Sequence, residues 1–152
     1  MALQQKLESL GVTLPAVPGP FGAYVPAKRA GNLIFISGHI AKKEGHTWTG
    51  KLGESLTTAQ GQQASRSIAI DLLATLQAAV NDLDTIQRIV KLLVLVNSAP
   101  TFTEQHLVAN GASELFMEVF GRERGSHARS AFGVAQLPLG SCVEIELVAE
   151  AM

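Results

Sequence analysis

The sequence has a single cysteine, Cys142, in 152 residues. An intrachain disulfide framework is thereby excluded, and a reducing compartment fits. Charge of one dominant sign is also missing, since 12 Lys and Arg stand against 13 Asp and Glu for a formal net charge of -1. Capture of a nucleic-acid backbone needs clustered positive charge, so no nucleic-acid partner is expected. Aromatic residues amount to only 5%, which leaves few platforms for stacking unpaired bases. No stretch approaches the roughly 18 continuous apolar residues of a membrane span, and Met1 to Pro20 has no basic segment leading into an apolar one. A cytoplasmic protein with no membrane partner is the expectation. His39, His46, His106 and His127 show no metal-ligand spacing with one another or with Cys142, so no metal site is expected. A phosphate-binding loop, a dinucleotide fingerprint and Gly-x-Ser-x-Gly are absent as well.

What the chain does have is material for a core. Hydrophobic residues make up 47%, enough for one domain of this length without a metal or disulfide staple. Leu3, Leu7 and Leu10 share a helical face, and Gly11 is placed to cap a short leading helix over 2–10. Pro15, Pro18, Gly19 and Pro20 make 11–22 an extended connector within the same domain, which divides the chain into 1–20 and a main portion, 21–152. Tyr24 to Ser37 reads as a hairpin turning at Gly31-Asn32, with Pro26 favouring an edge. Residues 41–56 read as loop, with a short strand at 46–49. Thr57 and Gln60 resemble a capping box, and Ala64, Ile68, Leu72, Leu76 and Val80 predict a helix over 58–81.

Ile86 to Asn97 has an apolar centre, as expected of a strand covered on both faces and central in a sheet. A second helix over 102–120 ends at Gly121; Gly111 inside it marks either a close backbone contact or a tolerated imperfection. Residues 129–136 and 141–149 read as two antiparallel strands around Leu137-Pro138-Leu139-Gly140. The expected class is α+β: a single domain with a mixed sheet, two main helices on one face and a short N-terminal helix.

The last two strands carry the informative charges. Alternation puts Arg129, Ala131, Gly133 and Ala135 on one face, a guanidinium beside a strip of small side chains, which suits bidentate capture of a small carboxylate. The alternative is a surface arginine paired with a glutamate. Phe132 falls on the opposite face and is expected in the core. Glu144 and Glu146 share a face; either can flank a site, where partial desolvation would raise its pKa and let it exchange protons near neutrality, or both can lie on a solvated surface. Cys142, among apolar residues, is expected to be inert. Arg122-Glu123-Arg124-Gly125-Ser126-His127 is expected to be exposed.

Several separated segments, in order, resemble one family. They are Phe21-Gly22-Ala23-Tyr24-Val25-Pro26, Gly31-Asn32-Leu33-Ile34-Phe35-Ile36-Ser37-Gly38, Ala128-Arg129-Ser130, Leu137-Pro138 and Val143-Glu144-Ile145-Glu146, and they are similar to the RidA/YjgF family, also called endoribonuclease L-PSP. The longer N-terminus and Gly125 to Ala131 look like a longer-chain branch of it. The resemblance implies a chorismate-mutase-like fold assembled as a homotrimer with ligand clefts between subunits. It also implies hydrolysis of reactive 2-imino acids or their enamine tautomers to 2-oxo acids and ammonia, without a cofactor. Carried over by position, Arg129 matches the arginine that holds the substrate carboxylate and Glu144 the glutamate near the hydrolytic water. Tyr24 matches a tyrosine lining the cleft, Ser37 and Gly38 the end of the strand beside it, and Asn110 a polar residue on the second helix, all on the substrate-binding side, and backbone groups near Ala131 help orient the substrate. His39 stands where better-studied members have glutamine, and Ala131-Phe132-Gly133 replaces their Cys-Val-Glu, so a differently shaped cleft is expected. A non-catalytic carboxylate-binding regulatory trimer and, with least support, a ribonuclease are the competing functions.

Overall fold

The computed structural model describes residues 2–17 and 22–152; Pro18, Gly19, Pro20 and Phe21, which the connector and the first family segment include, lie outside the described residues. The leading helix α1 spans Leu3–Ser9. It closes as the sequence predicts: Gly11, at φ 69, lets the Val12 and Gly11 N–H groups donate to the carbonyls of Leu7 and Glu8. Double closure of this kind satisfies carbonyls that a helix end would otherwise leave open. Leu3 and Leu7 are buried in the same core as the rest of the chain.

A five-stranded sheet carries the fold. Its strands are β1 (Ala27–Ala30), β2 (Leu33–Ile40), β5 (Ile86–Asn97), β6 (Ala128–Val134) and β7 (Val143–Ala151), while β3 (Lys42–Lys43) and β4 (His46–Thr47) form a small separate ribbon. The order across the large sheet is β1-β2-β7-β5-β6, with only the β5–β6 pair parallel. β1 and β2 are joined through Gly31-Asn32, and β1 is the edge strand that Pro26 favours. Helices α2 (Thr58–Val80) and α3 (Gln105–Gly125) pack against each other over one face of the sheet. Thr57 and Gln60 form the expected capping box at the start of α2. Among the described residues no helix is long and apolar enough to cross a membrane.

Gly111 is a close-contact glycine. A Cβ there would sit 2.0 Å from the carbonyl oxygen of Gln62 on α2. At the same crossing the Ser65 hydroxyl accepts the Ala112 N–H at 3.0 Å, and Gln62 Nε2 donates to the Leu107 carbonyl. The two helices are therefore held backbone to backbone, which fixes where α3 presents Asn110 and Ser113.

Three local expectations are corrected. β6 and β7 do not pair; β5 lies between them, because α3 carries the chain from β5 over to a parallel β6 and the return through Pro138–Gly140 places β7 on the other side of β5. Parallel neighbours need such a crossover, and a short linker between strands does not reveal it. β5 is covered on one face only: Ile89, Leu92, Val94 and Val96 are buried beneath the helices, while Lys91 is exposed and Leu93 and Leu95 are half-buried. Phe132 is 47% exposed on that same open face, level with Leu95, because the helix side of β6 belongs to Arg129 and Ala131. Leu33 and Phe35 of β2 are exposed on this face too.

Candidate functional site

A cavity of about 590 Å³ opens where β2 runs beyond the end of β1. The bulge between Ile36 and His39 turns this segment, so His39 faces the helices while Ile40, paired with Glu144, faces the open side. Tyr24, Ser37, Gly38, His39, Glu144 and Thr75 all line the cavity. Ser37 ties down the neighbouring chain, its hydroxyl donating to the Val25 carbonyl and its N–H to that of Pro26. Gly38 packs closely against Glu144, where a Cβ would lie 3.0 Å from Cδ.

Of the two β7 glutamates, Glu144 faces the cavity, whereas Glu146 is exposed and is not part of its lining. Burial, helped by the neighbouring Glu146 charge, raises the Glu144 pKa. Burial likewise raises Asp71, also in the wall, with Lys42 and His39 acting against it. His39 is pushed the other way, its pKa lowered chiefly by burial. Its Nδ1 lies 2.7 Å from the Ser37 carbonyl and its Nε2 2.8 Å from Thr75 Oγ1. A carbonyl oxygen only accepts, so Nδ1 carries the proton and, in the neutral ring, the Thr75 hydroxyl donates to Nε2.

Arg129 stands elsewhere. It pairs with Leu92 across β5, whereas Glu144 pairs with Leu95, so the two project from opposite faces of the sheet. Nη1 donates to Asn110 Oδ1 at 2.8 Å and to Ser113 Oγ at 3.2 Å, and Nη2 donates to the His106 carbonyl at 3.3 Å. All three acceptors are neutral. Among the described residues the ion pairs are Arg66–Glu118 and Arg88–Glu150, so no carboxylate lies within 4.0 Å of Arg129. The alternative of a glutamate-paired surface arginine is not what the structure shows: Arg129 is a half-buried cation with no counter-ion among the described residues.

Asn110 serves this guanidinium and is not part of the cavity wall. Ala131, on the same face, is half-buried against the core. The room predicted beside Gly133 is occupied by the chain itself: a Cβ there would lie 2.9 Å from both Gln105 Nε2 and Ser98 Oγ. Cys142 is buried, and its thiol is pushed up to about 11 by burial, which leaves it inert at neutral pH. Sequence reasoning missed Thr75, Asp71 and Ser113, whose helical positions gave no sign that they face polar partners. It also placed His127 in an exposed stretch, whereas the ring is half-buried.

The sequence profile of the family described as Endoribonuclease L-PSP matches residues 15–151. Protein TCP17 of Trypanosoma cruzi is 49% identical over 145 residues, covering 95% of this chain and 91% of that protein. The solved structure of Atu1372 from Agrobacterium tumefaciens, a protein of unknown function, superposes with a TM-score of 0.90 at 41% identity over 99% of this chain and 94% of its own. That of a Shewanella oneidensis protein proposed to be an endoribonuclease gives 0.93 at 30% identity, covering 99% of both chains. With the whole sheet, both main helices and the strand carrying Glu144 inside the matched span, the chain belongs to the Endoribonuclease L-PSP family, and its fold is the α+β fold of that family.

Proposed function

We propose that the protein hydrolyses small reactive 2-imino acids, or their enamine tautomers, to 2-oxo acids and ammonia, in a cleft assembled between subunits of a homotrimer. The observation that carries this reading is Arg129, a half-buried guanidinium held only by neutral acceptors. Such a cation, with donors left over, suits a substrate carboxylate.

Arg129 and Glu144 face opposite sides of the sheet within one chain, so a site using both draws them from two copies. The open face supports that assembly, since Leu33, Phe35 and Phe132 are exposed together on it and a second copy would cover them.

In this mechanism Arg129 fixes the carboxylate, and Glu144 of the neighbouring copy takes a proton from a water that adds to the C=N carbon. The raised pKa of Glu144 then suits it to return that proton to nitrogen. In the collapse the adduct's hydroxyl proton passes by way of Glu144 to the amine nitrogen as the C=O bond forms and the C–N bond breaks, so that ammonia leaves. The imine is already electrophilic, so anchoring and proximity provide most of what is needed. Tyr24, Ser37 and Gly38 line the water-side wall; backbone groups near Ala131 lie on the anchor side.

The test is an assay that generates 2-iminopropanoate in situ and follows its decay, with wild type beside Arg129→Ala. Accelerated decay that disappears in the variant is the expected result. No acceleration by folded wild-type protein overturns the reading.

A further inference from the structure

His127 and Ser113 belong to no function assigned so far, yet they stand directly behind Arg129. His127 Nδ1 is 2.7 Å from the Gly125 carbonyl, and its Nε2 is 2.8 Å from Ser113 Oγ. Ser113 Oγ is in turn 3.2 Å from Arg129 Nη1. The proton order along this row follows from which groups can donate. The Gly125 carbonyl only accepts, so His127 Nδ1 carries a proton. The guanidinium only donates, so Ser113 Oγ accepts from Arg129 and is free to give its own proton to Nε2 of the neutral ring.

The row is held at its far end as well. Gly121, at φ 81 and ψ 165, interrupts α3 before its last turn. A Cβ on Gly125 would fall 2.4 Å from the Phe116 carbonyl oxygen, so this turn lies tightly against the helix. The Phe116 ring meets the His127 ring edge-on, with centroids 6.3 Å apart.

A guanidinium has five N–H donors in one plane. Both Nη1 hydrogens are engaged, by Asn110 and Ser113, and one on Nη2 is engaged by His106. Nε–H and one Nη2–H remain, on the two nitrogens that form the side-on fork of an arginine. We propose that Ser113 and His127 are positioning residues that pin Nη1 of Arg129, so that the Nε/Nη2 edge is the one offered to the substrate's carboxylate. The proposal rests on the carboxylate-anchor reading above and adds which edge binds and what holds it.

Three measurements on the full-length protein test it. Nitrogen NMR of His127 at pH 7.5 reads the proton order directly and needs no substrate; Nδ1–H with a bare Nε2 is expected, and the opposite tautomer overturns the proposal. Calorimetry with pyruvate and kinetics on 2-iminopropanoate then compare wild type, Ser113→Ala, Ser113→Thr and His127→Phe. Ser113→Ala and His127→Phe should raise the pyruvate Kd and the KM about five- to tenfold with kcat within about twofold, as for loss of one hydrogen bond that orients a charged group. Ser113→Thr, which keeps the hydroxyl, should recover most of the loss. A purely structural role would lower Tm without changing Kd or KM in the folded protein, and that result overturns the proposal. Wild-type protein with the expected tautomer but no pyruvate binding and no Arg129-dependent turnover overturns the anchor reading itself, and with it the purpose of the row.

Discussion

His39 and His127 sit in different halves of the chain and are held alike. Each ring gives Nδ1–H to the carbonyl two residues before it, at 2.7 Å, and each meets a helical hydroxyl through Nε2 at 2.8 Å, Thr75 from α2 in one case and Ser113 from α3 in the other. Burial lowers the pKa of both. What lies in front of each differs. His39 looks into a cavity whose wall carries Asp71 and Glu144, both shifted up, whereas the His127 row ends on the Arg129 guanidinium. One histidine–hydroxyl arrangement thus serves a region suited to moving protons and another suited to holding an anion. Within one chain the acid–base wall and the cationic wall lie on opposite faces of the sheet, so the proposed site needs two copies to bring them together.

Removing the cation should have the largest effect. Arg129→Ala should lower kcat/KM on the order of a thousandfold, since two charge-assisted hydrogen bonds to the substrate are lost. Circular dichroism should be unchanged, because no internal ion pair depends on this residue.

Breaking the other wall should look different. Glu144→Gln should cut kcat about a hundredfold with KM little altered, the pattern for a lost proton carrier. The variant should be no less stable at pH 7.5. A carboxyl whose folded pKa is raised binds its proton more tightly in the native state, so its contribution is favourable at low pH and is lost as the pH rises through the folded value. Glutamine removes that loss, and thermal melts at pH 5 and pH 7.5 check the sign.

A third substitution acts on both regions at once. Gly111→Ala puts a Cβ against the Gln62 carbonyl and should push α2 and α3 apart. A cost of about 3 kcal/mol, read as a Tm lowered by about 10 °C, is expected. The smallest effect concerns His39. Its stabilising contribution is in place above the ordinary histidine value of 6.5 and is lost as the pH falls through its depressed folded pKa. His39→Gln should therefore lessen the drop in Tm between pH 7 and pH 5.5 by about 2 °C.

Much of this frame is legible in the sequence because it is local. The Thr57–Gln60 cap, the Gly31-Asn32 turn and the Gly11 closure each follow from side chains a few positions apart. Gly111 was legible as an anomaly, though not that Gln62 is the atom group it approaches. The β6–β7 pairing was misread because strands separated by a short turn usually pair, and nothing local says that β5 lies between them. Burial of both faces of β5 and of Phe132 was misjudged for a related reason: apolar residues show that a surface wants covering, not which chain covers it. Alternation correctly placed Arg129 with Ala131 and Glu144 with Glu146, but the relation between the pairs depends on the register of both strands on β5, where Arg129 meets Leu92 and Glu144 meets Leu95.

In the proposed site Arg129 of one copy works with Glu144 of another. Arg129→Ala and Glu144→Gln proteins, each with at most about a hundredth of wild-type activity alone, should be unfolded together in equal amounts, refolded, and assayed on 2-iminopropanoate. A shared site predicts recovery of about a quarter of wild-type activity, the fraction of clefts in a randomly mixed closed ring that receive both intact residues. No recovery from fully mixed, folded assemblies would contradict the account and return both roles to a single chain.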